Sequence, residues 1–235
     1  MQDLVALSVY SFNIPYLNIA VSINPVTIIT TWIIMVVIFI LAKVSVSRLS
    51  MIPSRAQVAA EGLYAWFDET LEESMGKAGR EFVPFIATLF VFVLLCNWSS
   101  LIPNVKSPTS DMNTCFALGI LVLFVSHGYA IRKKGLKKYL KAYFEPTPIL
   151  FFSNVISEIS KVLSHSLRLF GNLFAGGLLI ALVPILLVQL FKWWGVPLGI
   201  IAMPLLNAFF GLFLGGVQAL VFTLLAAAYI NVISE

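Results

Sequence analysis

Arg168 is the residue in this sequence whose position most demands a chemical reason. The stretch from Pro148 to Phe191 is 44 residues of largely apolar sequence, and Arg168 lies 20 residues after its start and 23 before its end. A guanidinium in the middle of such a stretch is expensive to place and marks a functional site by default. Arginine also stays protonated when desolvated, where lysine can lose its proton. The bland reading is a structural ion pair with Glu158, but the two stand ten residues apart, too far for a direct bond along one helix. At 100° per residue, Asn154, Ser157, Lys161, Ser164 and Asn172 fall within about 40° of Arg168 on a helical wheel. Isolated serines on a membrane helix usually bond their own backbone, but a polar stripe aligned with an arginine faces water, a partner or both.

The last long segment, Pro197 to Ser234, carries a counterpart. Asn207, Gly211, Gly215 and Gln218 share a face, and the small residues allow close helix approach. Gln218 is 21 residues from Pro197 and 16 from Ser234, near the expected depth of Arg168, where an amide could accept a hydrogen bond from the guanidinium. Upstream, Asp111 sits in a short polar turn. Cys96 and Cys115 lie in apolar stretches and read as small buried hydrophobes, with a disulfide between them as the lesser alternative. No CxxC or Cys/His cluster suggests a metal, and no cofactor is expected.

The elements that must hold these residues follow from composition and periodicity. The 235 residues are 60% hydrophobic and 11% charged, with 19 Phe and a mean hydropathy of +0.96. Soluble domains carry about 25% charged residues, so this chain must face lipid. The net charge of +4 then reads as loop topology rather than nucleic-acid binding, and a single membrane domain over 1–235 is expected. The first positive charge is Lys43, so neither a cleavable signal peptide nor a transit peptide is expected.

Residues 26–42 form a spanning helix. Residues 53–77 alternate apolar and acidic residues, as an amphipathic helix on the membrane surface or against a partner does; a soluble helical loop is an equally physical reading. Residues 82–102 and 113–131 make a spanning hairpin. The segments 148–191 and 197–234 are too long: at 1.5 Å per residue the first would reach about 66 Å, against a hydrocarbon core of about 30 Å. Either each breaks in two, or each is tilted by roughly 60° or more. Pro184 and Pro204 can kink these helices without ending them. Five basic residues in 43–81 and six in 131–147 oppose one each in 103–112 and 192–196. The positive-inside rule places the N-terminus outside and the C-terminus in the cytoplasm.

The run SLRLFGNLFAGG, residues 166–177, resembles the signature of the ATP synthase a subunit family, whose essential arginine sits in an R-L-F-G-N context. Arg168 and Asn172 match it. Gln218 in GGVQALVFTLL matches the glutamine of that family's last helix, SPTSDMNT with Asp111 and Asn113 resembles its outer loop, and KKGLKKYLK its basic loop. The resemblance covers most of the chain from about residue 80 onward. It implies an all-α integral membrane protein: one N-terminal transmembrane helix, a surface amphipathic helix, a transmembrane hairpin, and two long, strongly tilted helices wrapping a rotating ring of c subunits. It also implies Arg168 as the stator charge, with Asn172 and Gln218 beside it. An inner half-channel would run along Ser157, Glu158, Ser160 and Ser164, and an outer one along Asp111, Asn172, Asn207 and Gln218.

Implied partners are the c-subunit ring, peripheral-stalk b subunits and the other ATP synthase subunits. The implied setting is a bacterial inner membrane, with a plastid as the other possibility. The ion is H⁺ or Na⁺, and this chain performs no ATP chemistry.

The pattern departs from the family at four places. Gly177 and Gly211 stand where a titratable pair is common, Val162 replaces a proline, and Asn154 occupies an acid position, leaving Glu158 as the nearest carboxylate. The two glycines are expected to leave a polar gap that holds water. A stand-alone secondary transporter or channel is the alternative, but there is no internal repeat and no substrate cage. A purely structural anchor leaves the mid-membrane arginine unexplained.

Overall fold

The structure, a computed structural model, describes residues 10–14, 19–46, 54–102, 105–144 and 150–234. Pro53, Pro103 and Pro148, where segments were expected to begin, lie outside these residues, as does Arg48. A short antiparallel hairpin, β1 (Tyr10–Ile14) and β2 (Ile19–Ile23), precedes the helices, with Tyr10 opposite Ile23 and Ile14 opposite Ile19. It lies before residue 26, where the first span was expected to begin. Everything regular after it is helical, so the chain is an all-α membrane protein. Four helical stretches among the described residues are long and apolar enough to cross a membrane: Pro25–Ser45, Gln57–Leu101, Met112–Lys134 and Leu150–Ile233.

Helix α1 (Pro25–Val46) is apolar all round, as a span in lipid requires. Helix α2 (Arg55–Met75) starts where the Ser54 side chain accepts from the Gln57 backbone N–H at 3.3 Å, satisfying one of the helix's free donors. It ends at Gly76, whose φ of +63° suits glycine. A 3₁₀ turn, Gly76–Phe82, then reverses the chain into α3 (Val83–Trp98). Phe67 and Leu71 on α2 are fully buried against α3 and α8, so its apolar face packs on this chain itself. Arg80 joins Glu72 at 2.8 Å and Asp68 at 3.4 Å, an exposed pairing that contributes little alone.

A polar turn follows α3, and the Asp111 side chain caps α4 (Met112–Lys134) by accepting from Asn113 N–H at 3.0 Å. Gly135, at φ +78°, ends α4 and starts α5 (Leu136–Phe144). Helix α6 runs unbroken from Leu150 to Phe191, 42 residues with Pro184 inside. Such a helix is about 63 Å long, twice the hydrocarbon thickness. A 3₁₀ turn, Lys192–Trp194, leads into α7 (Gly195–Asn207), a π-helical turn (Ala208–Leu214) and α8 (Gly215–Ser234).

The core lies where α2, α3, α4 and α8 meet: Phe67, Ile86, Val93, Val122, Phe222 and Ile230 are its large members. Ala219, Ala226 and Ala227 on α8 are buried there, small enough to let helices approach closely. Helix α6 contributes only Leu169 to that cluster. The α6–α7 turn is highly exposed at Trp193 and Trp194 beside Lys192, the composition of a membrane-interface anchor.

Gly195 closes this turn. A Cβ there would collide with the carbonyl oxygen of Leu187, and with Val188 Cα. Gly62 on α2, by contrast, has open space around it. We expect Gly195→Ala to destabilise the protein by about 1–3 kcal/mol through overpacking, and Gly62→Ala to leave stability unchanged or slightly raised. Thermal unfolding of the detergent-solubilised chain measures both.

Candidate functional site

The buried side of α6 carries Glu158, Val162, His165, Leu169 and Gly176, a row spaced by three, four and seven residues against α4 and α8. Arg168 stands off this row and is exposed, as are Ser157, Ser160 and Ser164. Lys161, Asn154 and Asn172 straddle the boundary. The far flank is apolar and equally uncovered: Phe152, Ile156, Ile159, Leu163, Leu167 and Phe174 are all exposed. Arg168 therefore sits at the seam between the protein's interior and a large apolar face.

No carboxylate pairs with Arg168 and its guanidinium makes no hydrogen bond among the described residues. Glu158 is instead bonded through Oε1 to Lys161 Nζ at 2.7 Å, one turn along the helix, so the structural pairing with Arg168 does not occur.

Helices α6 and α8 run antiparallel. His165 stacks on Phe222 with ring centroids 3.8 Å apart, and Asn172 Nδ2 donates to the Leu214 carbonyl at 3.4 Å. These two contacts bracket Arg168 and set it level with Gln218. Gln218 is buried, and its Nε2 has no hydrogen-bond partner among the described residues. No bond joins Gln218 to Arg168 among the described residues.

Asn172, Asn207, Gly177 and Gly211 do come together. With Ser100, Gly176 and Phe210 they line a cavity of about 70 Å³. The two glycines differ. A Cβ on Gly177 would meet nothing, whereas one on Gly211 would lie 2.6 Å from Leu101 Cδ2. Leu101 thus fills much of the volume that Gly211 leaves. Asp111 lies apart from this cavity: its Oδ2 accepts from Thr27 Oγ1 at 3.3 Å and its Oδ1 caps α4. The structure therefore groups Asn172 with Asn207 and leaves Asp111 and Gln218 outside that group.

The π turn explains why the ideal wheel misplaces residues on the last segment. It inserts one extra residue into the coil and rotates all that follows. Side chains donate to carbonyls at its end and just beyond it. Asn97 Nδ2 donates to Gly215 O at 2.8 Å, and Trp98 Nε1 donates to Leu212 O at 3.1 Å, alongside Asn172 on Leu214 O. Asn97 is itself fixed, accepting from Thr109 Oγ1 at 2.8 Å.

On the opposite side of the Arg168 level, a cleft of about 260 Å³ is lined by Lys134, Tyr139, Tyr143, Ser157, Glu158 and Lys161. Asn154 also borders it and donates from Nδ2 to the Tyr143 carbonyl at 3.0 Å. The Tyr139 and Tyr143 hydroxyls are 2.9 Å apart, and Tyr143 Oη is 3.4 Å from His127 Nε2. Burial, and then the Tyr139 hydrogen bond, push the Tyr143 phenol well above its ordinary pKa, so it acts as a neutral hydroxyl. Of the inner candidates, Ser157 and Glu158 border this cleft; Ser160 and Ser164 do not. His127, Tyr139 and Tyr143 escaped the sequence reading. The signal was a lone His-Gly-Tyr interrupting the apolar run of α4. Cys96 and Cys115 are both free and buried, and no group of three His, Cys, Asp or Glu side chains among the described residues could hold a metal ion.

Residues 28–231 match the family model described as ATP synthase A chain. The chain is similar to ATP synthase subunit a of Moorella thermoacetica, with 38% identity over 204 residues, 87% of this chain and 88% of the relative. It is 37% identical to ATP synthase subunit a 2 of Pelobacter propionicus (87% and 84% covered). It is 35% identical to ATP synthase subunit a 2 of a Bradyrhizobium species (87% and 86%).

The unequal surroundings of the two glycines give a direct test. Gly177→Glu should assemble at the level of the unaltered protein. Gly211→His should lower the recovered complex by roughly the severalfold expected of 1–3 kcal/mol of overpacking, and adding Leu101→Ala should restore it. Yields of purified complex from matched cultures decide the matter.

Proposed function

The chain belongs to the ATP synthase A chain family, and from that premise we propose that it is the fixed subunit across which a rotating ring of c subunits exchanges protons, or sodium ions, with the two sides of the membrane. The observation that carries the proposal is the exposed guanidinium of Arg168, unpaired among the described residues, midway along a 42-residue apolar helix. A charge so placed is costly in lipid and is accounted for by a partner that presents a carboxylate to it. Each ring carboxylate is neutral while it faces lipid and ionises as it reaches Arg168. The permanent positive charge then blocks direct passage between the two ion paths. The exposed apolar flank of α6 supports a large partner on the same face.

In this proposal the inner half-channel starts at Ser157 and Glu158, with Ser160 and Ser164 on the ring side. The outer one uses Asn172 and Asn207 around the small cavity, with Asp111 nearer the surface and Gln218 at the depth of Arg168. Helices α6 to α8 lie oblique to the membrane, since upright they overshoot it. The N-terminus is outside and the C-terminus cytoplasmic, by the basic loops. The peripheral-stalk b subunits and the remaining ATP synthase subunits complete the assembly in a bacterial plasma membrane. The driving force is about 2.3 kcal/mol per charge per 100 mV.

Arg168→Ala should abolish ATP-driven ion pumping in inverted membrane vesicles while the ring still co-purifies with the chain. Normal coupled pumping by that variant refutes the proposal.

A further inference from the structure

Three clefts converge on one carboxylate. The half-polar cleft beneath Tyr139 and Tyr143 reaches Glu158 from the cytoplasmic end. A second, of about 330 Å³, opens between α4 and α6 and is bounded by Leu123, His127, Tyr143, Glu158 and Val162. A third, far narrower, continues past Glu158 to Ser126 and His165. Glu158 lines all three.

Three buried polar atoms facing these clefts have no hydrogen-bond partner among the described residues. Oε1 of Glu158 is taken by Lys161, but Oε2 is buried and unbonded. His127 has Nε2 beside the Tyr143 hydroxyl, while Nδ1 is buried and unbonded. Nε2 of His165 is in the same condition, and His165 is three residues from Arg168. Hydroxyls elsewhere in the spans, those of Thr30, Thr88, Ser126 and Thr223, each bond a carbonyl four residues back, whereas Ser166 Oγ and Gln218 Nε2 share the unpartnered state near the Arg168 level. A buried unpartnered polar atom costs about 1–3 kcal/mol. Three of them strung along connected clefts is a feature that packing alone does not explain. The two larger clefts are roomy enough for several waters, whose share of liquid volume is about 30 Å³ each.

Resting on the ion-path reading above, we propose that these clefts are the cytoplasmic half-channel, with Glu158, His127 and His165 as its proton-exchanging stations between α4, α6 and α8. A proton arriving on water joins Nδ1 of a neutral His127 to give imidazolium, or Oε2 of Glu158 to give the acid. The same proton leaves as that N–H or O–H breaks, is taken up at Nε2 of His165, and is released at the Arg168 level. No other bond changes, and the reverse sequence carries protons out. The set suits protons over sodium: imidazole nitrogens exchange protons near neutrality, whereas a hard cation requires a cage of oxygen ligands. Facing His127 are Tyr139 and Tyr143 from α5 and Glu158 and Lys161 from α6. Facing His165 are Phe222 and Tyr229 from α8, Ser126 from α4, and Arg168 on its own helix. The conductance should therefore follow the titration of a few coupled groups.

The test uses the whole ATP synthase in inverted vesicles, stripped of its soluble sector to expose passive proton conductance. His127→Gln, His165→Gln and Glu158→Gln each keep size and hydrogen bonding, and ring co-purification reports assembly. We expect each to lower conductance by about a hundredfold, the low end for a lost acid–base group, and to change its dependence on pH. As a reading independent of that loss, His127→Cys should be blocked by silver ion or a small thiol reagent added from the cytoplasmic side; the native Cys96 and Cys115 are fully buried. If both histidine variants conduct normally at every pH while Arg168→Ala still abolishes coupled pumping, the relay is wrong and the ion-path reading stands. If Arg168→Ala pumps normally, the reading beneath the relay falls with it. A thiol at position 127 that no cytoplasmic reagent reaches, or a flux carried by sodium with no proton movement, overturns the relay as well.

Discussion

A permanent positive charge held midway along a 42-residue apolar helix constrains everything around it. The charge cannot be neutralised by losing a proton, and no carboxylate among the described residues pairs with it. The helix that carries it must therefore have one side against protein and one side open. The packing conforms. The core is drawn together by α2, α3, α4 and α8, through the small residues of α8, and α6 gives it a single leucine. Glu158, which stands ten residues from the arginine, is engaged locally by Lys161. The result is a helix whose polar seam divides a packed side from an uncovered apolar side.

The second constraint is that backbone polar groups inside a membrane must be satisfied by the protein itself. The π turn at Ala208–Leu214 is the one departure from α-helical bonding within the described α7–α8 segment. Asn97 and Trp98 from the end of α3 and Asn172 from α6 supply the donors. Asn172 is thus as much a structural donor as a site residue, and it couples the helix bearing Arg168 to the helix bearing Gln218.

Much of this was legible in the sequence. Length and hydropathy delimit the spans, because lipid leaves few other structures for such runs. Arg168 declares itself because its surroundings are apolar. The R-L-F-G-N context fits the family that the comparisons identify. Legibility ended where the outcome depends on distant packing. The ideal wheel places Asn207, Gly211, Gly215 and Gln218 on one face, but a π turn intervenes and its extra residue has no sequence signal as strong as a proline. Gly211 reads as vacant volume until Leu101, 110 positions earlier, is found against it. His127 reads as an isolated polar residue until α5 brings Tyr143 beside it. The amphipathic α2 reads equally as a surface helix or a loop, and its burial on α3 is invisible to periodicity.

The three side-chain bonds onto the π turn have a mechanical side. A stationary partner of a turning ring feels a sideways load at each step, equal and opposite to the torque it resists. Helix α8 is held in the core, but the arm formed by α7, packed along α6, carries no residue of the core cluster, and the deflection of an arm under side load grows steeply with its unsupported length. The bonds from Asn97, Trp98 and Asn172 grip the arm where it meets α8, next to the level where the load acts. In the proposed assembly they shorten the unsupported length of that arm and keep Arg168 and Gln218 in register as the ring moves past.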